Sequence, residues 1–212
     1  MKKIFLTLAL FGACITFALA QETKDDKINK MIKDGAEYVK AKQYKEAAGS
    51  LQEAINIINE IIGDVILQGL PKSAGGLTSD PANDQVTSLG TLMGAGMQVQ
   101  RMYYNEKGQS VNITIQPNSP QLSSLNTFLD NPDDYPGEEA GKRVKVKDFK
   151  SLLRFTKAEG EESSSSGYLT MPFYTSVVTV QGGGFDDEKE FLAFLELFDW
   201  QLLAKNMGYI KE

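Results

Sequence analysis

The run from Met97 to Gln116, MQVQRMYYNEKGQSVNITIQ, constrains the chain more than any other stretch. Met97, Val99 and Tyr103 alternate with Gln98 and Gln100, and Val111, Ile113 and Ile115 alternate with Asn112, Thr114 and Gln116. Successive side chains of a strand point to opposite faces, so this alternation predicts two strands, each with one wet and one buried face. Asn105-Glu106-Lys107-Gly108 joins them and ends in the residue that most readily takes positive φ. A lone β-hairpin is marginal in water, so the rest of the chain must cover its apolar face.

Upstream, Met1-Lys2-Lys3, the apolar run Ile4 to Leu19 and Ala18-Leu19-Ala20 have the three parts of a secretory signal peptide, with cleavage before Gln21. The run is short against the ~20 residues that span a bilayer core, which disfavours a permanent anchor. Gly12-Ala13-Cys14 offers a competing lipoprotein site, but Phe11 precedes it and an apolar rather than polar stretch follows. Loss of residues 1–20 changes the formal charge from −6 to −8 (20 Lys and Arg against 28 Asp and Glu) and leaves neither Cys nor His. The acidic balance disfavours nucleic acid and anionic membrane surfaces as partners. A periplasmic or secreted location follows from the leader as an expectation.

Residues 21–69 form one expected unit and 70–212 another. From Lys24 to Gln68 the apolar spacing is helical: Ile28, Met31, Ile32, Gly35 and Tyr38, then Leu51, Ala54, Ile55, Ile58, Ile62 and Val65, broken at Ala41-Lys42-Gln43-Tyr44. Gly35, Tyr38, Tyr44, Ala47, Leu51 and Ala54 resemble the small-residue pattern of a single tetratricopeptide helix pair. Only one copy is present, which excludes a repeat array and leaves an αα-hairpin, expected to lay the isoleucine-rich face of its second helix on its own sheet. Pairing of that face between two chains is the alternative.

Gly69 to Gly76 reads as a linker, and the stretch to Gly96 as weakly structured. After the hairpin, Ser119-Pro120 predicts a helix start, with Leu122, Leu125, Phe128 and Leu129 as its apolar face. The acidic loop Asp130–Glu139 lacks the alternate ligand spacing of a calcium loop and reads as solvated. Two short strands follow around Val144 and Leu153. Their cations Lys142, Arg143, Lys145, Lys147, Lys150 and Arg154 are the candidate site, an anion or partner patch. The plainer reading is that they block unwanted pairing at a sheet edge. Ser163 to Ser166 lie in a loop and have no histidine to activate them. Tyr168 to Gln181 reads as one long strand, and Phe191, Phe194, Leu195, Phe198 and Leu202 as one final helix capped at Asp187 with Glu190.

Adjacent strands imply hairpins, hence an α+β domain with an antiparallel sheet flanked by helices. The order of Leu70-Pro71, the Met97–Gln116 hairpin and a final helix ending near Asp199-Trp200-Gln201-Leu202-Leu203 resembles the PsbP-like sandwich. With Arg101-Met102-Tyr103, Val111 to Ile115 and Asn118-Ser119-Pro120 it resembles still more closely small exported bacterial proteins of unknown function. Gly75-Gly76-Leu77 stands where that pattern has a tryptophan. The resemblance implies a binding or assembly factor; a protein partner is expected, and no cofactor. A carrier of a small molecule or ion in a sheet–helix cleft is the other reading. The absence of His and Cys after cleavage disfavours a hydrolase, which would need paired carboxylates, and none sit in a suggestive context.

Overall fold

In a computed structural model the described residues are 22–89, 96–131, 141–158 and 164–210. The expected leader and most of the acidic loop lie outside them. The chain is α+β. Helix α1 (Lys24–Lys40) starts at a reciprocal cap in which Thr23 accepts from the Asp26 amide and Asp26 accepts from the Thr23 amide. It runs back along α2 (Tyr44–Gln68). Gly35 lets the two approach: a Cβ there would sit 3.0 Å from Cγ of Leu51 and 3.6 Å from the Ala47 carbonyl, and Ala47 and Ala54 of α2 are buried.

Antiparallel strands make up the rest of the frame: β1 (Ser73–Ala74), β2 (Leu77–Ser79), β3 (Gln85–Ser88), β4 (Met97–Tyr104), β5 (Ser110–Pro117), β6 (Lys142–Val146), β7 (Phe149–Thr156), β8 (Ser166–Phe173) and β9 (Ser176–Gly183). Their spatial order is β1-β2-β4-β5-β9-β8-β7-β6, with β3 sharing the β4 edge. The expected hairpin is β4–β5, near the middle, with Val99 opposite Ile115 and Tyr103 opposite Val111. Its Val99, Tyr103, Val111, Ile113 and Ile115 are fully buried. Over that face lie the end of α2, α4 (Glu188–Leu195) and α5 (Trp200–Asn206), whose Phe191, Phe194, Leu195, Trp200 and Leu203 join one core with it. Helix α3 (Leu122–Asp130) lies against the opposite face.

Four local readings need correction. The stretch before Gly96 holds β1, β2 and β3, too short to show alternation and bridged by a 3₁₀ turn that Asp80 caps through the Ala82 amide. The supposed long strand is the β8–β9 hairpin, because Tyr174 takes φ 55° in a two-residue turn without glycine. Tyr174 stacks on Tyr209 at 4.9 Å, and that contact holds the side chain over the strained turn. The final helix is two helices, the second capped by Asp199 on the Leu202 amide. Helix α3 begins at Leu122 rather than at Pro120, since the Ser119 hydroxyl accepts from Gln121 N in a turn of its own. The Asp187 cap is present, with Glu190 reaching back to the Asp186 amide.

The helical hairpin meets the sheet at Gly63. A Cβ there would lie 2.4 Å from both γ carbons of Val86. Gly63→Ala should therefore cost about 1–3 kcal/mol by overpacking. Val86→Ala in the same chain should recover much of the loss in urea melts. A fully tolerated Gly63→Ala would mean that the contact is looser than described.

Candidate functional site

The six cations of the expected patch do not converge. β6 is an edge strand, and its alternation divides them between faces. Lys142 points with Val144 and Val146 and pairs with Glu188 at the start of α4. Arg143 turns the other way, donates to the carbonyls of Phe128 and Asn131 at 2.6 Å, and lies 4.7 Å over the Phe128 ring. It closes the C-terminus of α3, where unpaired carbonyls attract a cation. Lys145 faces Lys150 across the strands and approaches Asp148, while Lys150 pairs with Asp130 at 2.6 Å. Lys147, at φ 49° in the turn, donates its Nζ to the Phe198 carbonyl. Arg154 lies 4.9 Å over Tyr168. Each cation has its own local partner, and together they fit an edge protected against pairing. Of the acidic loop, Asp130 and Asn131 are described. Among the described residues no cluster of three or more Asp, Glu, His or Cys could hold a metal.

A buried ion pair lies where sequence reading left a gap. Arg101 falls between Val99 and Tyr103 in the inward phase of β4 and is 5% exposed. Its Nε donates to Asp84 Oδ1 at 2.9 Å and its Nη2 to Asp84 Oδ2. Its Nη1 donates to the carbonyls of Leu67 (2.9 Å) and Leu70 (2.7 Å) where α2 ends. One guanidinium thus joins β4, the β3 approach and the end of α2, using the planar fork that lysine lacks. Asp84 holds Arg101 above the ordinary arginine range. The parity of a charged residue within an apolar face was the available signal.

Tyr103 donates to the Pro71 carbonyl at 2.8 Å, and burial pushes its phenol up to about 12, against a partial lowering by Arg101. The unfolded chain ionises this tyrosine near 10, so unfolding gains favour as pH rises from 10 to 12. This single group should remove about 2–3 kcal/mol of stability across that window. Tyr103→Phe should be less stable at pH 8 yet lose less between pH 10 and 12, read by urea melts at each pH. Equal slopes in both proteins would contradict this assignment.

The third feature is on α2. Only its last turns, with Gly63, Ile66 and Leu67, are buried against the sheet and α5. Leu51, Ile55, Ile58, Ile62 and Val65 stay 38–44% exposed. The expectation that the isoleucine face docks on its own sheet holds only for that end. One sheet-ward face of α2 meets β3 and β4, the opposite side meets α1, and the stripe lies between. Beside its lower end, Asn59, Ile62, Ile66, Met97, Pro117 and Tyr209 line a cleft of about 250 Å³. Among the described residues no helix is long and apolar enough to cross a membrane. Neither known family models nor curated proteins match this sequence.

Proposed function

We propose that this is a non-catalytic, exported interaction protein that docks a protein partner on the apolar stripe of α2. The observation that carries this reading is the stripe itself. Five large aliphatic side chains in line on one helix are left part-open to water by the fold. Such a patch marks an interaction surface, because fully burying each side chain of this size is worth about 1.5–3 kcal/mol. Export rests on the leader-like Met1 to Ala20, and a mature mass beginning at Gln21 would support it. The reading leaves the buried Arg101 pair as architecture, since its donors are taken up by Asp84 and two carbonyls.

A photo-crosslinking residue at Ile58 should give a discrete protein adduct in the cells that make this chain. The same residue at Met102, exposed on the outer side of β4, should not. Equal labelling at both sites, or none, would contradict the reading. The cleft beside Ile62 favours a second reading, a small apolar molecule held between α2 and the sheet. Native mass spectra carrying a small bound mass, with no protein adduct, would favour it.

A further inference from the structure

The spacing of the α2 stripe points to what covers it. Leu51, Ile55, Ile58, Ile62 and Val65 follow one another at intervals of four, three, four and three. Extended toward the N-terminus, the same rhythm meets Ala48 and Tyr44, the latter 65% exposed. This is a heptad seam, whose ~3.5-residue period suits packing against another helix rather than a sheet or a flat surface. Resting on the interaction reading above, we propose that the partner helix is α2 of a second copy, packed antiparallel.

Charge and size complementarity favour this occupant. The chain is acidic overall, so two copies repel except where the surface is neutral. Glu46, Glu53 and Glu60 recur every seven residues and fall on the side of α2 away from the seam, while the fourth acid, Asp64, is paired with Lys24 of α1. The residues following Leu51 and Ile58, which would flank the contact, are the uncharged Gln52 and Asn59. An antiparallel twofold arrangement sets Ile55 against the partner's Ile58, Leu51 against the partner's Ile62, and the small Ala48 against the partner's Val65. Such a contact is self-complementary, as a twofold interface requires. Antiparallel packing also keeps apart the two sheet domains, each fixed to the C-terminal end of its own α2.

The test uses the full chain with Cys14, its only cysteine, changed to serine. Sedimentation should give twice the chain mass, and Ile55→Lys with Ile58→Lys should return it to one. Under mild oxidation Leu51→Cys with Ile62→Cys should cross-link between copies, while each single cysteine should not. Cross-linking of the single variants would overturn the antiparallel arrangement in favour of a parallel one. A monomer at every concentration, with an adduct of different mass at the Ile58 photo-crosslinker, would overturn the second copy and leave the interaction reading standing. A monomer with no adduct would overturn both.

Discussion

Arg101→Leu should unfold this protein more readily than any other single change on the β4–β5 hairpin. The substitution strands Asp84, which is largely buried, and leaves the carbonyls of Leu67 and Leu70 without the donor that closes α2. Breaking one side of a buried pair costs about 3–5 kcal/mol, because the remaining charge is left desolvated and unpaired. In a chain of this size that is a fall of roughly 10 °C in melting temperature. Arg101→Lys should recover little, since an ammonium cannot reach a carboxylate and two carbonyls at once. Arg101→Leu with Asp84→Leu should lose less than the two single changes added together. A single Arg101→Leu costing under ~1 kcal/mol would mean that hydrophobic replacement suffices and the pair is dispensable.

Deleting residues 22–68 should be more damaging still. The deletion strips Ile66 and Leu67 from the shared core, at about 1.5–3 kcal/mol for each buried side chain, and removes one of the Arg101 acceptors. It also uncovers the sheet beneath α2, including Val86, which packs against the core. The remainder should melt much lower and aggregate. Removal of residues 22–47 alone should be far milder, because α1 packs on α2 rather than on the sheet. A chain without residues 22–68 that stays soluble and melts with the full protein would show that the hairpin is an independent arm.

How much of this was legible follows from how each element is specified. The β4–β5 hairpin announced itself because apolar and polar residues alternate over Met97–Gln100 in one strand and Val111–Gln116 in the other, around a glycine-containing connection. The helix pair was equally plain, since its periodicity runs for dozens of residues with a break at Lys42, which takes φ 59°. The β8–β9 turn was hidden because Tyr174 adopts a glycine-like conformation, stabilised by a tyrosine 35 positions later. The break between α4 and α5 was hidden by an unbroken apolar rhythm from Phe191 to Leu202, within which only Asp199 signals a new start. Arg101 was visible as a residue but not as a hub, because its partners at 67, 70 and 84 meet only after folding. The basic patch failed as a constellation for the reverse reason. Residues adjacent in sequence were sent to two faces and a turn.

The central proposal is that the middle of α2, left open by its own chain, is closed by a second copy. Thiol labelling tests it most directly, with Ile58→Cys and Ile66→Cys each placed in the Cys14→Ser background. Ile66 is 1% exposed and Ile58 38% exposed. In dilute protein Ile58→Cys should react quickly and Ile66→Cys slowly. At high protein concentration labelling at Ile58→Cys should slow several-fold while that at Ile66→Cys stays unchanged. Labelling of Ile58→Cys that stays as fast at high protein concentration as in dilute protein would show that no second copy covers the stripe, and would contradict the account.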